Sequence, residues 1–309
     1  MVAVVSRASL GLSVWVCFVG GLACGEESQS PSASESGVGG TAGAGASLAT
    51  GGTGTGGREV DPNAGQSCSL VWESGFENGF PGEWLDYDNG AYSPDGTMPD
   101  GRVAAWTIID QSSGEPVFAG EHSYKGWIVG PDTDSHRAYP VLHTDIETPL
   151  VNTFRVYLDV DYDVLGDEWI HFGTWGNEED GTGVWALHTM SVRYRLLEFA
   201  HTDPFGGEYI GPEPTPEFPL RQWVRFTVYL HYQGDTGFVQ VWQDGVPMLR
   251  ADVAQLADYP GTRLTRAHWG MYAGLTASQG AQYNDEIQIW QLDAPLTDFE
   301  TEPDCYLAP

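Results

Sequence analysis

The sequence predicts an all-β domain built from two packed sheets, and three observations carry that prediction. Apolar residues recur at every second position in many short segments. Gly, Pro, Asn and Asp clusters divide those segments, and no amphipathic helical pattern exceeds a turn or two. The clearest stretch runs from Arg221 to Trp290. It holds a tryptophan-led strand (Trp223, Phe226, Val228, Leu230), a strand ending at the hairpin signal Asp244-Gly245, His268-Trp-Gly-Met-Tyr272 and Asp285-Glu-Ile-Gln-Ile-Trp290. So many strands in one domain must share a core between two sheets.

At the N-terminus, Met1–Ala23 has one positive residue, Arg7, an apolar run from Leu10 to Val19 and small residues before Cys24. This reads as an export signal, too short and too soon interrupted to span a membrane. Gly21-Leu-Ala-Cys24 resembles the lipobox of bacterial lipoproteins, with Gly21 where that family usually has Leu. The resemblance implies lipidation at Cys24, and Gly25 after it implies an outer-membrane lipoprotein facing the exterior. Cleavage after Ala23 with plain secretion is the alternative. Residues 24–66 are Gly, Ser, Ala and Thr with almost no large apolar side chain, so they cannot bury enough surface to offset the entropy of ordering. They predict a disordered tether of roughly 40 residues with an average reach of about 35 Å.

Residues 67–309 are enough for one well-buried core, and a single monomeric domain is the simplest count. Of four cysteines, Cys17 falls in the signal and Cys24 at its end, leaving Cys68 and Cys305 at the two borders of the domain. In an oxidising compartment these two pair, make the first and last strands neighbours, and close a loop worth about 4–5 kcal/mol. The net charge of -30, with Lys125 as the sole lysine, removes the basic footprint that nucleic-acid binding needs.

Strands are predicted at 69–73, 104–110, 123–128, 138–143, 153–162, 168–175, 184–194, 195–201, 224–232, 238–243, 265–272 and 286–292. Residues 253–259 are the best short helix candidate, and Pro204–Pro219 reads as a long Pro/Gly-rich loop. Alternation sorts the residues by face. Phe226, Val228 and Leu230 share a core side, leaving Arg225, Thr227, Tyr229 and His231 opposite. Val239 and Val241 oppose Gln240 and Trp242; Trp269 and Met271 oppose His268 and Tyr272; Ile287 and Ile289 oppose Gln288 and Trp290. Ile170 and Phe172 oppose Trp169, His171 and Trp175. If these strands lie in one sheet, its outer face is a band of Trp, Tyr, His, Gln and Arg. Sugar rings present apolar C–H faces bordered by hydroxyls, which flat aromatics and hydrogen-bonding side chains grip. The expected glycan contacts are Tyr139, Trp175, Arg225, Tyr229, Gln240, Trp242 and Gln288, on a concave sheet.

With these motifs in hand, the arrangement resembles the concanavalin A-like jelly roll and, within it, the polysaccharide lyases of the alginate, glucuronan and heparin lyase type. Those lyases carry an early Arg strand, a Gln-x-His strand and a late strand in which a basic residue, a Gly and a Tyr are closely spaced. Arg137 in His-Arg-Ala-Tyr139 matches the first. His171 in Trp-Ile-His, or His188 in Ala-Leu-His, matches the second, with Trp169 or Ala186 in place of the Gln. His268-Trp-Gly-Met-Tyr272 matches the third, with His268 where alginate lyases usually have Lys. Removing the proton beside a uronate carboxylate requires its charge to be offset, a base, and an acid for the leaving oxygen. The resemblance implies Arg137 for the first role, His171 or His188 for the second and Tyr272 for the third.

Other chemistries lack their motifs. No Glu-x-Asp-x-(x)-Glu strand of the jelly-roll glucanases, Gly-x-Ser-x-Gly elbow, His-Glu-x-x-His or Cys-x-x-Cys occurs. Asp159-Val-Asp-Tyr-Asp163 alternates acids without Glu, a solvated strand face or a calcium site; no metal or other cofactor is otherwise expected. Three readings remain: a surface-exposed or secreted protein that binds polysaccharide, a lyase acting on a uronate polymer, and a structural or adhesive surface protein.

Overall fold

The computed structural model describes residues 67–80, 90–162, 168–179, 184–193, 195–203, 206–210, 217–233, 236–252 and 262–305. The export signal, Cys24, the tether and the helix candidate at 253–259 lie outside the described residues. Among the described residues sixteen strands form the domain: β1 (Cys68–Ser74), β2 (Gly90–Tyr92), β3 (Ala104–Asp110), β4 (His122–Ile128), β5 (His136–Ala138), β6 (Val141–Glu147), β7 (Leu150–Asp159) and β8 (Trp169–Glu179). They continue with β9 (Val184–Arg193), β10 (Leu196–Asp203), β11 (Gly206–Ile210), β12 (Trp223–Gln233), β13 (Thr236–Gln243), β14 (Val246–Asp252), β15 (Arg263–Ala273) and β16 (Gly280–Leu292).

They make two sheets. The first has nine strands in the order β14-β13-β12-β7-β16-β4-β3-β2, with β1 also on β16. The second has seven in the order β11-β10-β9-β8-β15-β5, with β6 also on β15. The all-β sandwich expected from alternation is therefore the fold. Val224, Phe226, Val228 and Leu230 of the first sheet and Ile170, Phe172, Trp269 and Met271 of the second meet in one core, as a two-sheet architecture requires.

Several boundaries differ from expectation for local reasons. The segment 138–143 is two strands, because Pro140 has no N–H to continue the ladder. Asp244-Gly245 does turn β13 into β14, both residues at positive φ (50° and 85°). Strand β14 follows that turn and β2 is only three residues, and neither has a strong enough alternation to read. The loop predicted from Pro204 contains β11. Cys68 and Cys305 are joined, with Cα atoms 5.8 Å apart, and β1 pairs β16 as the pairing implied.

Candidate functional site

The two sheets divide the residues that alternation had placed in one band. Arg225, Tyr229, Gln240, Trp242 and Gln288 belong to β12, β13 and β16 of the nine-stranded sheet, whereas Tyr139, His171, His268 and Tyr272 lie on or beside strands of the other. A single glycan platform made of both sets is thus corrected. Alternation reports the face of a strand and is silent on which sheet holds it.

Of the set on the nine-stranded sheet, Arg225, Tyr229 and Trp242 are covered by the C-terminal segment. Tyr229 and Trp242 are 1% and 0% exposed, packed with Val151, Leu292, Leu296 and Cys305 in a second, smaller core. Phe299 lies 4.7 Å from Phe238 between ring centroids, and Arg250 stands over both rings. Glu302 pairs with Arg225 at 2.6 Å and accepts from Thr227 Oγ1. The Leu296 N–H meets the Tyr229 hydroxyl at 3.4 Å. Gln240 is buried as well, and Gln288 accepts from Trp290 Nε1 at 3.3 Å. Arg225, Tyr229 and Trp242 hold the C-terminal segment to the sheet, which corrects the expectation that Trp242 and its neighbours face a glycan.

Two further residues turn inward. A β-bulge between His171 and Gly173 adds one residue to β8 against β9, which flips the phase beyond it. Trp175 therefore enters the core, where its Nε1 donates to Asn152 Oδ1 at 2.8 Å, an oxygen shared with Trp269 Nε1 at 3.0 Å. His188 is fully buried, with Nδ1 2.8 Å from the Tyr232 hydroxyl. Its phase is that of Met190 and Val192, both core residues, and that parity was readable in the sequence. Trp175 is corrected from glycan contact to core, and His188 from candidate base to core.

The remaining candidates converge on the outward face of the seven-stranded sheet. Tyr272 of β15 is the centre. Its ring centroid lies 4.8 Å from Trp169, 5.1 Å from His171, 5.7 Å from Tyr139 and 6.5 Å from His268, and the Arg137 guanidinium stands 5.7 Å over it. His268 stacks on Tyr139 at 3.8 Å, nearly parallel at 12°. Ser135 Oγ approaches the Tyr272 hydroxyl at 3.4 Å, and Asp134 Oδ2 accepts from Arg137 Nη1 at 3.0 Å. Trp169, His171 and Tyr272 keep part of their surface in solvent.

Local chemistry of the chain builds this geometry. Gly270, two residues before Tyr272, has φ +130°, and a Cβ there would meet the Tyr124 ring at 2.6–2.9 Å. Only glycine admits that ring. Tyr124 crosses from the first sheet and donates its hydroxyl to the Ala138 carbonyl, fixing the strand that carries Arg137 beside the one that carries Tyr272.

Burial controls the charges. Loss of hydration pushes the His171 pKa down to about 3, and burial, followed by Arg266 and by His171 itself, holds His268 well below its usual value. Both imidazoles are neutral near pH 7. Their Nδ1 atoms are sealed from solvent and make no hydrogen bond. Arg137 loses hydration too, yet the neighbouring Tyr272 and Asp134 more than offset that and raise its pKa. Of the acids considered for calcium, Asp159 pairs with Arg221 at 2.7 Å, and Asp163 lies outside the described residues. Trp169, Asp134, Ser135 and Arg266 complete the cluster. Trp169 was detectable from its phase with His171; the others come from a loop or a bulged register and carry no sequence signal.

No family model matches the chain, and no curated protein matches it. Among solved structures it is similar to the alginate lyase Aly36B, at 13% identity and a TM-score of 0.41, over 54% of this chain and 82% of that one. It is also similar to a structure described with the endo-acting O-glycanases that human gut microbiota express to initiate mucin breakdown (10%, 0.46, over 73% and 100%). A third is the botulinum neurotoxin serotype D ligand-binding domain in complex with N-acetylneuraminic acid (9%, 0.36, over 55% and 39%).

Proposed function

We propose that the outward face of the seven-stranded sheet binds a uronate-bearing polysaccharide outside the cytoplasm. The observation that carries the reading is the convergence of Arg137, His171, Tyr139, His268 and Trp169 on Tyr272. Trp169 and Tyr272 offer aromatic surface to the C–H face of a pyranose. Arg137, raised in pKa and partly exposed, offers a charge-assisted partner to a uronate carboxylate, which would replace Asp134. With Nδ1 sealed, Nε2 of His171 is the ring nitrogen that a sugar hydroxyl can reach. The bridge between Cys68 and Cys305 supports an oxidising, exported setting, and a lipid anchor at Cys24 would display the domain on the cell exterior.

The position of Tyr272 favours a second reading, β-elimination. The proton beside the carboxylate leaves to a base, its electron pair forms the ring double bond, and the glycosidic oxygen departs with a proton from an acid. Arg137 would offset the carboxylate. An imidazole that releases its proton near pH 3 is a weak base, so Tyr272 would carry the proton transfers and His171 would orient the sugar. The test is affinity electrophoresis on alginate, glucuronan, pectate and heparin-type polymers, with ultraviolet absorbance followed for an unsaturated uronate. Retardation by at least one polymer, lost in Arg137→Ala, is expected; equal mobility on all four overturns the binding reading. An absorbance rise that vanishes in Tyr272→Phe adds catalysis, and its absence in wild type removes it.

A further inference from the structure

Five neighbouring strands each bring one residue into a single transverse row on this face. Arg137 of β5 stands opposite Tyr272 of β15, and Tyr272 opposite His171 of β8. His171 stands opposite Ser191 of β9, and Ser191 opposite Glu198 of β10. All five alternate with core residues: Ala138, Met271, Phe172, Val192 and Phe199. Neighbouring strands lie ~4.8 Å apart, so the row is roughly 19 Å long, the footprint of several linked sugars lying across the strands.

The far end of the row differs from the near end. Glu198 is partly buried and its Oε1 accepts from Ser191 Oγ at 3.2 Å. Arg193, two residues from Ser191 on the same strand, acts on its charge. Burial raises the Glu198 pKa, while Ser191 and Arg193 pull it back. A hydroxyl-bearing sugar placed there finds an acceptor in the partly exposed Glu198 carboxylate, which the buried Ser191 hydroxyl holds in place. A uronate placed there brings a carboxylate against a carboxylate, which has no proton to give and repels it.

We propose that Glu198 is a specificity-determining residue that admits an uncharged sugar and rejects a second uronate, so that the ligand is a mixed polymer carrying a uronate at the Arg137 end and a neutral sugar at the Glu198 end. The proposal rests on the reading of this face as a glycan site. It reduces affinity for homopolyuronates without touching Arg137, because the two residues stand at opposite ends of the row.

The test compares isothermal titration of polymannuronate oligomers and glucuronic-acid-substituted xylan oligomers against wild type, Glu198→Gln and Ser191→Ala, each checked for an unchanged thermal transition. Wild type is expected to prefer the substituted xylan. Glu198→Gln, which keeps the shape and supplies an amide donor, is expected to gain about tenfold for polymannuronate and to lose affinity for the xylan. Ser191→Ala, which frees Glu198 of its donor, keeps the repulsion and should not gain for polymannuronate; it provides the readout if Glu198→Gln melts early. Binding of both polymers with a ratio that Glu198→Gln leaves unchanged, or a gain for polymannuronate in Ser191→Ala, overturns the role of Glu198 alone. Binding of neither polymer by wild type overturns the glycan reading and this proposal together.

Discussion

On the nine-stranded sheet the outward-facing Thr227, Tyr229, Gln240 and Trp242 are almost wholly buried, while on the seven-stranded sheet the outward-facing Trp169, His171 and Tyr272 stay partly in solvent. Both faces carry aromatic, polar and cationic side chains. On the first, the segment that follows β16 returns over the strands and is held by Cys305, by Glu302 on Arg225 and by Phe299 on Phe238. On the second, the aromatics stack on histidines whose Nδ1 atoms have no partner. Composition alone therefore does not make a binding face; it becomes one only where the chain does not cover it. Unpartnered polar atoms are costly to bury, and both faces hold them, Trp242 Nε1 on the first and the two imidazole Nδ1 atoms on the second, so solvent access is what separates the two.

The largest test of this contrast is the removal of the disulfide. Cys68→Ala with Cys305→Ala should lower stability by about 4–5 kcal/mol, read as a shift of the urea midpoint, with the Trp242 emission moving toward that of a wetted indole. A midpoint within error of wild type would mean that the tail is held without it. Next comes Trp242→Ala, expected to lose about 3–4 kcal/mol of stability while polymer retardation stays unchanged. Weakened binding in a well-folded Trp242→Ala protein would restore the covered face as a ligand surface.

A smaller effect is expected at Glu302. Glu302→Gln removes the charge facing Arg225, a pair only 19% and 9% exposed at its side chains, and should cost about 2 kcal/mol. The second face should respond the other way round. Tyr272→Phe is expected to change stability by less than about 1 kcal/mol and to abolish any elimination activity, so a large stability loss would place Tyr272 in the architecture instead of the site.

The finest discriminator is pH. His171 is depressed to about 3 when folded, against an ordinary 6.5. The unfolded chain therefore binds more protons, and the contribution of His171 is complete above 6.5 and is lost as pH falls toward 3. His268 is lowered as well and works in the same direction. Asp285 opposes them. Burial raises its pKa to about 6 from 3.8, so its contribution is present below 3.8 and lost as pH rises through 6. Its carboxylate accepts from the Phe118, Ala119 and Glu286 N–H groups on the nine-stranded side. Urea midpoints followed from about pH 7 to about pH 4 should fall for wild type and fall less for His171→Gln. Identical slopes would mean that His171 is hydrated in solution.

Much of this molecule was legible in the chain itself. Two-residue alternation determined the fold class, most strand positions and which residues face the core, because side chains of a strand must point alternately to its two sides. The border cysteines determined the bridge, and Arg137, His171, His268 and Tyr272 could be nominated because few residue types combine ionic, hydrogen-bonding and aromatic contacts with a sugar. The tertiary structure alone decided which strands share a sheet, since pairing between distant segments leaves no local periodicity. It also decided that one extra residue at the β8 bulge turns Trp175 inward, and that residues 293–305 lie on Trp242 and Tyr229. The row from Arg137 to Glu198 belongs to that second class. It is assembled from five strands that lie between Arg137 and Tyr272 in the chain, and register, which sets it, is a property of the closed sheet.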